Sequence, residues 1–256
     1  HTSSRRQRQM CIRDRTKIMK TVCEENGVDI STKTSVSKVL IENNKAIGVK
    51  IDDGSVIHSD KIVSNLNPKL LFSKLVNKED VDKEYLRKIL NYKCGSGTFR
   101  MNVALSELPD FTCLPGKITK DHHKSGIVIA PSLTYMDKAF TDAKQYGWSK
   151  NPIVEMLIPS TVDPSLAPKD KHVASLFCQQ FAPVLPRDKS WHDEKESAAN
   201  TIIDTVNKFA PNFKESILGK SILSPLDLEE KLGLVGGDIM HGVMSVSYTH
   251  LRAHET

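Results

Sequence analysis

Several residue groups in this 256-residue chain have side chains capable of chemistry, and their spacing decides what they can do. Gly95-Ser96-Gly97 begins like a dinucleotide-binding fingerprint, but Arg100 stands where the third glycine belongs, and strand-forming residues follow. Such a fingerprint must follow a strand and open a helix, so that free helix N–H groups face a pyrophosphate. A turn is expected here instead. His122-His123 beside Asp121 offers metal-binding atoms, yet adjacent residues on a polar loop do not converge on one ion. A solvated loop and no metal are expected. Cys23, Cys94, Cys113 and Cys178 are scattered without a C-x-x-C pair, which argues against zinc and disulfides and for a reducing compartment. The charged DEKE run at 193–196 reads as the wet start of a helix, where the dipole favours acids.

The two ends read differently from the interior. Residues 5–15 (RRQRQMCIRDR) and 246–256 (VSYTHLRAHET) resemble translated library-adapter sequence, so tails 1–15 and 246–256 are expected to lack evolved structure. Charge follows the same division. Arg5, Arg6, Arg8, Arg13 and Arg15 against Asp14 carry +4 of the chain's +5, leaving +1 for residues 16–245. A basic arm would point to nucleic acid or a membrane surface; with the tail set aside that reading goes, and no nucleic-acid partner is expected. No apolar run approaches the ~20 residues of a membrane helix, so no transmembrane segment is expected. Nothing specifies an oligomeric state.

The elements that must position any site follow from periodicity. Residues 16–26 carry Ile18, Met19, Val22 and Cys23 at helical spacing, with Gly27 as a stop. A short strand is expected at 28–30. Alternating β-rich runs at 35–41 and 46–51, the Asp53-Gly54 turn, and strands to Asn65 predict a β-meander that Asn67-Pro68 breaks. Helices are expected at 69–76, 81–90, 132–146 and 191–209, with a last one starting at Pro225. Strands are expected at 98–105, 126–130, 153–158 and 173–181. Strands and helices mix without strict βαβ order, which predicts an α/β (α+β mixed) fold with a sheet covered by helices.

The meander ending in KIVSN-LNP resembles the second FAD-contacting region of phytoene desaturase and amine-oxidase-type flavoproteins. MNVALSELPDF (101–111), IAPSLTYMDKAFTDAK (129–144), IPSTVDPSLAPKDKHV (158–173), APNFKESIL (210–218) and SPLDLEEKLGLVGGDIMHG (224–242) extend that resemblance to the phytoene-desaturase-like branch. The resemblance implies part of an FAD-binding Rossmann-like domain at 16–67, an inserted substrate domain at 68–224, and a return segment at 225–245. It implies an FAD-dependent oxidoreductase that moves hydride from a small apolar or amine-bearing substrate to flavin. A flavoprotein with a regulatory role and a redox-neutral FAD-dependent isomerase are the alternatives.

By the same resemblance Val36 sits where a strand backbone meets the adenine, or is a plain meander valine. Asn65 sits at the chain's turn toward the cofactor, or caps the next turn. Gly236 and Gly237 lie where the chain returns toward the flavin and could let backbone approach a flat ring, or form an ordinary loop. His241 would orient a substrate or shuttle a proton, or simply pack. The compartment implied is cytoplasm, or the mitochondrial matrix for a eukaryotic parent. The family's N-terminal strand–GxGxxG–helix and its C-terminal glycine-rich segment are absent from the sequence. The chain alone is therefore expected to bind FAD weakly or not at all and to lack turnover.

Overall fold

The first helix, α1 (Ile12–Glu25), stops where the sequence asks it to. Gly27 takes φ +79, its N–H donates to Glu24 O, and Val28 N–H reaches back to Cys23 O, a complete Schellman closure. The helix starts inside the segment expected to be an unstructured tail, since helical backbone runs through residues 12–15. The computed structural model describes residues 12–116 and 118–243. Contacts divide the chain into two units, His1–Tyr92 and Lys93–Thr256.

In the first unit, β1 (Val36–Glu42), β2 (Lys45–Ile51) and β3 (Val56–His58) form an antiparallel three-stranded meander. Asn43 and Asn44, both at positive φ, join Glu42 to Lys45 as a two-residue hairpin loop. The second turn works as its Asp-Gly pair requires. Gly54 sits at φ +91, and Asp53 Oδ1 accepts from Ser55 N at 2.8 Å and Ser55 Oγ at 2.6 Å.

Two expected strands are missing, at 28–30 and 61–65. β-rich composition needs a ladder partner to become a strand. None pairs with these residues, and Val63 is 96% exposed. Asn67 then caps α2 (Pro68–Leu70), accepting from Lys69 N at 2.9 Å, and a π-type turn (Leu71–Leu75) follows. Asp82 caps α3 (Lys83–Leu90), whose Tyr85 ring meets Phe72 edge-on at 5.3 Å.

The second unit is built on a five-stranded, wholly antiparallel sheet. Its strands are β4 (Thr98–Leu105), β5 (Ile127–Ile129), β6 (Trp148–Leu157), β7 (His172–Phe181) and β8 (Ile217–Leu223), in the order β5-β6-β7-β4-β8. Strand β4 shows why the sheet has a dry side. Phe99, Met101, Val103 and Leu105 alternate with Arg100, Asn102 and Ala104, so one face is wholly apolar. Helix α5 (Trp191–Asn207) lays Ala198, Ala199, Ile202 and Val206 into the core with that face. Its own start is capped by Ser190, with Asp193 and Glu194 in the first turn as expected.

Helix α4 (Leu133–Tyr146), capped by Ser132, packs on β6 and β7 through Ala139 and Ala143, which stand apart from the main core. Strand β6 begins five residues earlier than its periodicity indicates and tolerates Pro152 inside an irregular register between Trp148 and Ile153. One α-helix and one strand have no counterpart in the sequence reading, α6 (Phe213–Ser216) and the edge strand β8. Helix α7 (Pro225–Leu232) closes the fold, with a capping box between Ser224 and Asp227 and Gly233 in the left-handed region at its end.

Candidate functional site: the open sheet face and the return loop

Alternation buries one face of the sheet; on the other the row Ile153, Gln179 and Thr98 is covered too, Ile153 and Thr98 being buried, and two rows are left for contact. Because directly paired residues share a face, the registers define a row across all five strands, Val128, Glu155, Phe177, Arg100 and Leu223. A second row holds Leu157, Ser175, Asn102 and Ser221. Val128, Glu155, Leu157, Asn102 and Ser221 are exposed, while Arg100, Ser175 and Phe177 are half-buried. Arg100 Nη2 donates to Ser175 Oγ at 3.0 Å, and its guanidinium carbon lies 5.5 Å from the Phe177 ring centre. The floor is thus aromatic and aliphatic, with one cation and one carboxylate flanking the ring.

Beneath this face Cys178 is fully buried, and burial pushes its thiol far above the usual range. A thiol held protonated in apolar surroundings is no nucleophile.

The approach to β4 is locked to the chain's return. Gly95 N–H donates to Asp238 Oδ2 at 2.6 Å, Ile239 N–H to Ser96 Oγ at 3.1 Å, and Val243 N–H to Lys93 O at 3.0 Å. Residues 93–96 and 238–243 therefore run side by side. Gly95-Ser96-Gly97 feeds a strand and not a helix, with Gly95 at φ +134 and Gly97 at φ +68, but its backbone is irregular and does not form the expected turn.

The candidate site residues fall in two places. Val36 opens β1 opposite Ile51 and is 37% exposed, and Asn65 lies exposed on irregular backbone after the meander. Both belong to the first unit. Gly236, Gly237 and His241 lie together on the return loop of the second. The two glycines have φ +65 and +63, and their open sides are taken by this chain itself. A Cβ on Gly236 would stand 3.1 Å from Cys94 O, and one on Gly237 would run into the backbone of Pro225. His241 is exposed at φ +62, its N–H donating to Asp238 O.

The adjacent histidines do not form the solvated loop their polar neighbours predict. His123 is 1% exposed, its Nδ1 accepting from Lys120 N at 3.1 Å and its Nε2 lying 3.0 Å from Pro109 O. His122 stacks on it at 3.9 Å between ring centres. These bonds, with the Phe111 ring beside it, hold His123 as a packing residue. Among the described residues no three His, Cys, Asp or Glu side chains are placed to hold a metal.

Sequence reasoning passed over Arg100 except as a glycine out of place, and it did not single out Asp238. For Arg100 the signal was present, since strict alternation in TFRMNVAL puts Arg100 and Asn102 on the face opposite the apolar residues. For Asp238 no local signal exists, because its partner is 143 residues away in sequence.

No family model matches the chain. It is 34% identical over 227 residues to the rat protein called pyridine nucleotide-disulfide oxidoreductase domain-containing protein 2, covering 86% of this chain and 39% of that one. Prolycopene isomerase 2, chloroplastic, of an Oncidium hybrid cultivar is 26% identical, over 78% of this chain and 31% of the isomerase. The chain thus spans about two fifths of the length of the first of these curated relatives. An oxidoreductase structure from Methanosarcina mazei superposes with a TM-score of 0.55 at 22% identity, over 80% of this chain and 40% of that one, which shows a shared fold. Through these relatives, the chain belongs to the phytoene desaturase-like family of FAD-linked oxidoreductases.

Proposed function

We propose that this chain is the substrate-facing part, with a portion of the cofactor domain, of an FAD-dependent oxidoreductase acting on a small apolar or amine-bearing molecule. The observation that carries the reading is the two-sided sheet. Helix α5 closes one face, while the other presents Phe177, Leu157 and Val128 with Arg100 and Glu155 among them. A bound flavin would supply the hydride acceptor, and the protein would supply position and a dry, apolar floor. The lock at Asp238 would hold the return loop, with Gly236, Gly237 and His241, at a fixed distance from β4.

The fit to FAD is partial. Among the described residues there is no strand–glycine loop–helix, so the pyrophosphate finds no cradle of the kind that a helix start provides. Val36 would contribute at the adenine and Asn65 at the chain's turn toward the cofactor. In the return loop the glycine faces are already filled by Cys94 and Pro225, so their backbone can guide the chain past a flavin without opening a slot for it. The chain by itself is therefore proposed to bind FAD weakly or not at all and to turn nothing over. Titration of the purified chain with FAD, followed by flavin fluorescence, tests this. A flat titration is expected, and saturable stoichiometric binding overturns it.

A second reading is redox-neutral isomerisation, favoured by the isomerase relative. Product analysis of the complete flavoprotein with and without an electron acceptor separates the two. Net oxidation requires the acceptor, whereas isomerisation proceeds without it.

A further inference from the structure

We infer that Arg100 is the anion anchor of a binding site for an apolar monocarboxylate on the open face of the sheet. This names a substrate class for that face and rests on the reading that substrate lies there.

Arg100 is half-buried in a central strand, yet no carboxylate of the described residues pairs with it. Its guanidinium donates to the neutral Ser175 hydroxyl. A guanidinium has five donors in a rigid fork that matches a carboxylate, and the Phe177 ring holds this one from one side. A partly buried cation with unspent donors is costly unless something anionic completes it. Asn102 and Ser221, paired across β4 and β8 in the neighbouring row, place further polar groups beside that seat.

The rest of the face says what the anion must be attached to. Phe177, Leu157 and Val128 continue the surface as exposed or half-exposed apolar groups, fit for a hydrocarbon body. Glu155 is paired with Phe177 on the side away from Arg100. At ~4.8 Å per strand it stands roughly 10 Å from the Arg100 backbone. A second negative charge on the ligand would meet it. One cation and one distant carboxylate fit a single negative charge, neither a dianionic phosphate nor a dicarboxylate.

The test is calorimetric titration of the whole chain with decanoate, decanol, decanedioate and decylamine, and of the Arg100→Gln and Arg100→Lys variants. Decanoate is expected to bind at least ~10-fold more tightly than decanol, the factor that a charge-assisted pair supplies. Arg100→Gln should erase that preference, and Arg100→Lys should keep part of it. Decanedioate should bind more weakly than decanoate. Equal binding of decanoate and decanol, tighter binding of decylamine, or no binding of any probe overturns the inference. The comparison among probes on the unaltered chain stands even if Arg100→Gln fails to fold. Selective decanoate binding without turnover in the complete flavoprotein would sink the oxidoreductase reading and leave the site. Turnover without decanoate preference would do the reverse.

Discussion

Asp238 Oδ2 accepts a 2.6 Å hydrogen bond from the Gly95 backbone across 143 residues of sequence, and its other oxygen accepts from Met240 N at 2.8 Å. One buried carboxylate, 3% exposed, thereby binds the chain's approach to the sheet to its return. Asp238→Ala leaves two N–H groups without acceptors. A loss of about 1–3 kcal/mol is expected, read from urea unfolding of the whole chain. Amide exchange should speed up at 94–96 and 238–243 before it does in β4. Asp238→Asn, which keeps an acceptor oxygen, should recover part of the loss. Unchanged exchange in the alanine variant would show that the lock is not what holds the loop.

Asp227 makes acid stability specific to one helix start. Burial raises its pKa, but hydrogen bonds from Lys231 and Ser224, with Lys195 nearby, outweigh this and bring it to about 2. A depressed folded value means the stabilisation is fully present above the unfolded carboxylate range, near 3.8, and is lost as pH falls toward 2. The side chain is only 8% exposed, so about 2 kcal/mol is at stake. Asp227→Asn should flatten the stability profile between pH 4 and 2 (roughly the window those values define), while remaining less stable than the parent at neutral pH.

How much of this was legible depends on the range of the interaction. Strand β4 was read to the residue, because TFRMNVAL alternates without exception. The caps at Asn67, Asp82, Ser132, Ser190 and Ser224 are equally local. Edge strand β8 was not legible, since Gly219, Lys220 and Ser221 have low strand preference and pair only because β4 offers an unfilled side. The reverse error occurred at Val28 and Val63, which look like strand residues but find no ladder. The buried His123 was misread for the same reason, because Pro109 and Thr161 reach it from elsewhere in the chain.

The histidine cluster predicts a second pH effect. Burial, then His123 and Lys120, lowers the His122 pKa against a weaker pull from Asp121; burial, then His123, lowers that of His172 against Asp170. Each neutral ring is favoured in the fold, so the stabilisation is complete above their ordinary value of 6.5 and lost as pH falls below it. The urea midpoint should drop on acidification through that value, well above the Asp227 window. His122→Phe should remove part of the drop by keeping the stack on His123 without a titrating ring. An identical drop in that variant would assign the effect to other groups.

Two glycines separate backbone need from mere occurrence. Gly237 sits at φ +63, with the Pro225 backbone where a Cβ would go, whereas Gly219 in β8 has nothing within 4 Å and no positive φ. Gly237→Ala must move α7 or the return loop, and a loss of roughly 2 kcal/mol or more is expected. Gly219→Ala should stay within about 0.5 kcal/mol, as surface changes away from special features do. The comparison also bears on the cofactor. If Gly237 serves only to let the chain pass Pro225, Gly237→Ala in the complete flavoprotein should lower thermal stability, while any FAD retained by the folded fraction keeps its normal affinity. A loss of FAD affinity with unchanged stability would instead show that the missing Cβ makes room for the flavin.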